Sequence, residues 1–187
     1  MKHFLVTRFN LTDNGWKKSR DGQQVLTDEW LEHRFRLFDK YCLPSVKNQS
    51  NQKFTWCIFF DINTPHEYKK RIDNISRSYN NFRAIFIDGM KALNTSLQKF
   101  ITSNIEEEQY IITSRLDNDD LIHRDFIDTI QMLSNPLEEK VIDLRSGYQV
   151  VIERENKEIR KAYNYFNPFI SLVETKSNKE NRINYQK

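Results

Sequence analysis

Glycine is scarce in this 187-residue chain: there are four, and none pair up. That excludes a glycine-rich phosphate loop, because P-loop and dinucleotide fingerprints need closely spaced glycines to let backbone approach phosphate. Cysteine is sparser still. Cys42 and Cys57 both sit inside apolar patterns, which reads as two buried free thiols of a reducing compartment rather than a disulfide scaffold. No apolar run approaches the roughly 18 residues that cross a bilayer, and the opening MKHFLVTRFN lacks the small-residue cleavage pattern of a signal peptide. The expectation is a cytoplasmic domain without a transmembrane segment, with peripheral contact at the inner membrane face left open. An excess of one charge is missing too. Twenty-nine basic against 26 acidic residues leave +3, with the basic residues scattered rather than striped, which argues against a nucleic-acid partner.

Aromatic residues are what the chain has instead: thirteen Phe, eight Tyr and three Trp. They can bury enough area for one globular domain with a genuine core. We expect that domain over residues 1–175, followed by a polar tail over 176–187, KSNKENRINYQK, too hydrophilic to pack and expected to be disordered.

Four apolar runs read as strands: 3–9, 54–60, 83–87 and 110–116. The middle two are nearly continuous in Phe, Ile and Trp, as in strands covered on both faces. Helical spacing separates them. Leu31, Phe35, Phe38 and Cys42 recur at four, three and four, with Thr27 or Asp28 to cap the start and Pro44 to end the helix. A more polar helix follows Pro65, and a third carries Leu93, Leu97, Phe100 and Ile101. The pattern Leu121, Phe126, Ile130, Leu133 predicts a fourth helix from Leu121. Alternating strand and helix predicts an α/β fold with a mainly parallel sheet flanked by helices. A later stretch, YQVVIE and KEIRKAYNY around the polar RENK, predicts an antiparallel hairpin attached to that sheet.

Ligands of parallel α/β sheets collect beyond the carboxyl ends of the strands. The residues there are Arg8 and Asn10, Asp61 and Asn63, Asp88 and Gly89, and then Asp117, Asn118, Asp119 and Asp120 in succession. Two carboxylates about 5 Å apart repel by roughly 3 kcal/mol at an effective dielectric near 20, so a positive group must offset this cluster. A hard divalent cation, Mg²⁺ or Mn²⁺, is one answer, since it takes one or two carboxylates plus substrate phosphates. Asp117 and Asp119, two residues apart, point to one face of an extended backbone. The bland alternative is that Asp119 or Asp120 caps the helix from Leu121, which explains one acid but not three. A calcium loop starting at Asp117 fails on Leu121, Ile122 and Asp128. An aspartyl-phosphate phosphatase is disfavoured, because Arg8 and Asn10 stand where its nucleophile belongs.

With VTRFN, W…R…LF…CLPSV, WCIFFD and ITSRLDNDD in view, the chain resembles the GT-A-type nucleotide-sugar glycosyltransferases. More narrowly, it is similar to the bacterial rhamnosyltransferase-like family, over about residues 2–174. The resemblance implies a GT-A-like (Rossmann-like) fold and a nucleotide-diphospho-sugar donor. It also implies a glycan or lipid-linked glycan acceptor and a bound Mg²⁺ or Mn²⁺. It further implies that Asp61 binds the base, that Thr7 and Arg8 line the nucleotide pocket, and that Asp117 meets ribose or metal. Asp119, with Asp120, would coordinate the ion. For Asp61 a plain turn-capping role is an equal reading, and for Arg8 a salt bridge at the sheet edge is another. Arg115 is placed to neutralise the cluster or approach phosphate, with a structural ion pair the plainer role. Where many relatives carry Ala-Arg-Asn, this chain has Ala92, Leu93 and Asn94. Asp143 and Glu174 are candidates for the general base of an inverting transfer. Tyr163, Tyr165 and Phe166 could stack on an acceptor sugar or simply pack, and His123 reads as an exposed residue of a helix's first turn. Two other functions stay open: a nucleotide-sugar binding module without turnover, and a metal-dependent phosphate-ester hydrolase.

Overall fold

The computed structural model describes residues 1–13, 15, 24–153, 156–165 and 167–176. The expected disorder of the tail after Lys176, the Arg154–Glu155 part of the hairpin turn and Phe166 lie outside the described residues.

All four apolar runs are strands, to within one residue of their expected ends. They are β1 (Lys2–Arg8), β2 (Thr55–Asp61), β3 (Phe82–Ile87) and β4 (Tyr110–Arg115). Two further strands complete the sheet, β5 (Lys140–Ile142) and β8 (Ser171–Thr175), in the order β3-β2-β1-β4-β8-β5. The first four run parallel, whereas β8 runs antiparallel to both β4 and β5. The hairpin of β6 (Ser146–Glu153) and β7 (Asn156–Tyr163) exists, but it forms a separate two-stranded sheet rather than joining the main one. The place beside β4 goes to β8 instead.

Strand periodicity sorts the core onto two faces. Leu5, Trp56, Ile58, Phe60 and Ile112 pack on one side, where α1 (Asp28–Leu37), α3 (His66–Ser78) and α5 (Phe126–Leu133) cover them. Phe4, Val6, Cys57, Phe59 and Ile111 pack on the other, against α4 (Leu93–Ser103). This is the arrangement right-handed crossovers produce. Cys42 and Cys57 are buried free thiols in different clusters. The richest packing is aromatic: Phe9 and Phe35 rings lie 4.4 Å apart, and Phe35 stacks on Tyr68 at 4.7 Å.

Three expectations need correcting. β2 is buried on both faces, but β3 is an edge strand with Arg83 and Phe86 exposed, because among the described residues no strand lies beyond it. Thr27 does cap α1 by accepting from Trp30 N, yet the helix does not end at Pro44. It continues through a wide π turn, Phe38–Cys42, into α2 (Leu43–Lys47). Leu43 N–H reaches back to Phe38 O, and Pro44 then falls in the first turn of α2, where its missing N–H costs little. Finally, α5 begins at Phe126 and not at Leu121. Among the described residues, no helix is long and apolar enough to cross a membrane.

Candidate functional site

The chain leaves β1 toward β2 and β3 on one side and reaches β4 on the other, so the switch point of the sheet lies between β1 and β4. The acidic loop sits there. Asp117 is met by Arg115 at 3.3 Å and Arg8 at 3.9 Å, and Asp119 forms an ion pair with Arg34 of α1. The positive charge that holds the cluster together is thus, in large part, three guanidinium groups. Burial and the neighbouring Arg115 lower the Arg8 pKa, and Asp117 partly restores it. Asn118, 1% exposed, donates to Phe9 O at 3.1 Å and ties the loop to the end of β1. Its Oδ1 is buried without a partner among the described residues.

Asp120 differs from its neighbours. Its carboxylate makes no hydrogen bond or ion pair among the described residues. Burial first, then Asp119 and Asp117, push its pKa up to about 7, against the opposing pull of Arg34 and Arg115. The capping role is excluded for both Asp119 and Asp120, because the helix they would cap starts at Phe126 after Asp125.

What keeps residues 117–125 irregular is the α1–α2 helix beneath them. Cys42 Sγ lies 3.7 Å from Asp117 O, Ser45 Oγ accepts from Ile122 N at 3.3 Å, and Gln49 Nε2 donates to His123 O at 2.8 Å. Gln49 Oε1 also accepts from Ile127 N at 3.0 Å, and Ser50 N donates to Arg124 O at 2.9 Å. These tertiary bonds satisfy backbone groups that a helix from Leu121 would otherwise have paired. The stretch W…R…LF…CLPSV is therefore the support of the acidic loop. Burial, followed by the charges of Asp120, Asp119 and Asp117, raises the Cys42 thiol well above its ordinary pKa.

Beside the loop, a cleft of about 240 Å³ opens between the ends of β1 and β2 and the start of α1, with Asn10, Thr12, Trp30, Asp61, Asn63 and Thr64 in its wall. Asp61 is only 2% exposed. Its Oδ2 accepts from Thr12 N (3.1 Å) and Thr12 Oγ1 (2.7 Å), and its Oδ1 accepts from Asn63 N (2.9 Å). Burial pushes its pKa up, but the bonds from Asn63 and Thr12 outweigh that and hold the carboxyl below its usual value. Asp61 thus anchors the cleft wall as well as lining it. Asn10 links the same strand ends, donating to Thr64 Oγ1 and accepting from Asp61 N. Gly89, just past β3, packs against Thr12 from behind: it has φ +64°, and the place of a Cβ is 2.8 Å from Thr12 O and Oγ1.

Thr7 does not reach this cleft. It is fully buried and accepts from Trp56 Nε1 at 2.9 Å, within the core. Glu174 pairs in register with Ile111, near the start of β4. That is six residues before Asp117, or roughly 20 Å along an extended chain, so it stands at the wrong end of the sheet to serve as the base. Asp143 follows β5 at the correct end. Its side chain is 15% exposed, Oδ2 accepts from Arg145 Nε at 3.1 Å, and Oδ1 is buried without a partner among the described residues. Tyr163 and Tyr165 are exposed, edge to face at 5.3 Å. His123 is exposed before α5, and Asn94 lies in the first turn of α4. Sequence reasoning assigned no role to Arg34, Thr12, Trp30 or Gln49. The signals were the W…R spacing on α1 and the polar residues just beyond β1.

The site can be tested for a divalent ion on its own donors. Among the described residues, no three His, Cys, Asp or Glu side chains form a group able to cage an ion. The unpartnered carboxylate of Asp120 next to Asp119 does fit a hard cation whose remaining ligands come from substrate oxygens, the usual habit of Mg²⁺.

The model of a family described as "Putative rhamnosyl transferase" matches residues 2–187. The chain belongs to that family. No curated protein matches it in sequence. Among solved structures, it shares the fold of S. aureus TarS 1-349, with a TM-score of 0.51 at 12% identity over 92% of this chain and 47% of that one. Alignments to S. aureus TarS (TM-score 0.46, 13% identity, 75% of this chain and 21% of that chain) and to TarS 1-349 in complex with UDP (0.43, 15%, 75% and 34%) are looser. This member of the family therefore spans less than half the length of each TarS chain it aligns with.

Proposed function

We propose that this chain is the donor-binding and transfer domain of a glycosyltransferase. It would take a sugar from a nucleotide-diphospho-sugar and pass it to a hydroxyl of a glycan or lipid-linked glycan. The observation that carries this reading is the under-neutralised Asp120 at the switch point of the sheet, beside a cleft of about 240 Å³. Family membership supports the same class of reaction.

In this reading the nucleoside occupies the cleft, whose wall is kept in place by Asp61, Thr12 and Asn63, and the diphosphate runs along the strand ends toward Arg8 and Arg115. Asp119 and Asp120, with Asp117 behind them, would hold Mg²⁺ or Mn²⁺. When bound, that ion supplies Lewis-acid stabilisation of the charge growing on the departing nucleoside diphosphate. Arg8 and Arg115 hold Asp117 in place. Asp143, two strands or roughly 10 Å from β4, has a carboxylate oxygen without a partner. We assign it the acceptor proton in an inverting transfer.

Isothermal titration with UDP, GDP and dTDP, each with and without Mn²⁺, tests the reading. One of the three should bind in a metal-dependent way, and Asp119→Ala should weaken that binding by ~10-fold or more with an unchanged circular dichroism spectrum. No binding of any nucleotide, with or without metal, would overturn it.

A further inference from the structure

Arg34 stands between the two halves of the site and has no part in the reaction as described above. It lies one helical turn after Trp30 on α1, and its guanidinium carbon sits 5.3 Å from the centre of that ring. Trp30 belongs to the wall of the cleft. On the other side, Arg34 Nη1 is paired with Asp119 Oδ2, the acid just assigned to a cation. Its Nε is buried and donates to nothing among the described residues. The side chain is 22% exposed, so solvent only partly replaces the missing acceptor, and a buried donor without one is costly.

A planar guanidinium offers five N–H donors in a fork that matches phosphate oxygens. One end of the fork is engaged by Asp119 here while Nε is idle. The ligand that satisfies it is an anionic oxygen arriving from the cleft side, which for a nucleotide in that cleft means its diphosphate. With Oδ2 engaged by Arg34, the Asp119 carboxylate has less negative charge to offer a metal ion, and the guanidinium repels that ion as well. We propose that Arg34 is an exchangeable counter-ion. It holds Asp119 in position when the site is empty, and releases it to bind the diphosphate when a nucleotide enters, leaving Asp119 for the metal. Arg34 would then be a diphosphate-binding and positioning residue. This rests on the donor-binding reading above.

The consequence is a change of opposite sign for two ligands, which a purely structural ion pair would not give. In Arg34→Gln, metal-free binding of the nucleoside diphosphate that the wild type prefers should weaken by ~10–100-fold, the range of a charge-assisted hydrogen bond. Binding of Mn²⁺ alone, followed by electron paramagnetic resonance, should tighten by ~3-fold or more, since a competing cation has gone. Asp119→Asn frees the guanidinium without removing it, and should tighten metal-free nucleotide binding. Loss of both affinities together in Arg34→Gln, or an unchanged nucleotide affinity, overturns the proposal while leaving the donor site standing. So does weaker metal-free binding in Asp119→Asn. A wild-type chain that binds no nucleotide overturns both.

Discussion

Arg34 and Asp119, 85 residues apart in sequence, form an ion pair that joins the first helix to the acidic loop. Asp117, two residues earlier, is clamped from β1 and β4 by Arg8 and Arg115. The loop thus presents two acids that are neutralised in advance and one, Asp120, that is not. A site arranged in this way keeps its shape without a ligand, yet leaves one carboxylate for which a cation is worth most.

The first prediction concerns that carboxylate. Because the Asp120 pKa is pushed up to about 7, its native-state value exceeds that of the unfolded chain, and the charge becomes a liability as pH rises from about 4 to about 7. Asp120→Asn should stabilise the protein by ~1 kcal/mol at pH 8, or about 2–4 °C in Tm for a chain of this size, and change little at pH 4. The same variant should bind Mn²⁺ with nucleotide more weakly. Thermal melts at the two pH values, paired with titrations, check both halves.

The parallel half of the fold was legible because β1, β2 and β4 are runs of apolar residues too long and dense for loops, and the helices between them keep a clean spacing. β5 and β8 were not. KVI is three residues long, and SLVET takes its place only by pairing with a strand more than fifty residues earlier. The start of α5 was misplaced for a related reason: Asp119-Asp120-Leu121 has the local signature of a capped helix, but Ser45 and Gln49 take the backbone groups concerned. In the site, the clustering of acids beyond β4 could be read directly from the chain. That Arg34 faces them could not, since the contact depends on how α1 lies across the sheet. Thr7 illustrates the opposite error, a residue at the correct end of a strand whose side chain turns into the core toward Trp56.

Gly89 should tolerate no side chain. It combines φ +64° with a Cβ position 2.8 Å from two oxygens of Thr12, one of them backbone. Gly89→Ala should cost ~1–3 kcal/mol through strain and displacement. Because Thr12 also donates twice to Asp61, the same substitution should weaken nucleotide binding. Denaturant melts and titrations with the preferred nucleotide measure the two effects separately.

A third prediction follows from His3, which is 2% exposed with Nε2 2.8 Å from Ser114 Oγ. Burial lowers its pKa to about 3, below the ordinary value near 6.5. Between those two values the unfolded chain takes up a proton that the native protein does not, so stability falls as the solution is acidified. The slope contributed should be at most ~1.4 kcal/mol per pH unit, fully absent above about pH 7. In His3→Gln this part of the slope should vanish, although the variant starts from a lower stability at neutral pH. Chemical denaturation from pH 8 to pH 4 makes the comparison.

Asp143 separates binding from chemistry. It lies away from the cleft proposed for the nucleotide, at the carboxyl end of β5, and it is given the proton because one of its oxygens has no partner among the described residues. Asp143→Asn keeps the shape and the bond from Arg145 Nε, so nucleotide affinity should stay within ~2-fold. Sugar transfer, once an acceptor is in hand, should fall by ~10²-fold or more, the usual share of a general base. Equal losses of affinity and turnover would assign Asp143 a structural role.

Gln49 offers the sharpest test of how the acidic loop is held. It is 4% exposed, and its amide bridges both directions of the chain: Nε2 donates to His123 O and Ser45 O, and Oε1 accepts from Ile127 N. Gln49→Ala leaves the buried N–H of Ile127, in the first turn of α5, without its acceptor, at ~1–3 kcal/mol, while His123 O keeps only the bond from Phe126 N. Gln49→Glu keeps the acceptor for Ile127 N but removes the donor, and sets a carboxylate against two carbonyl oxygens. Both variants should melt several degrees lower. The loop they release carries Asp117, Asp119 and Asp120, so metal-dependent nucleotide binding should weaken even well below the melting temperature. Hydrogen exchange at Ile122 and Ile127 should rise in step with that loss. If exchange rises while affinity is untouched, the geometry of the acids is set by Arg8, Arg34 and Arg115 alone, and the α2 platform serves only the stability of the fold.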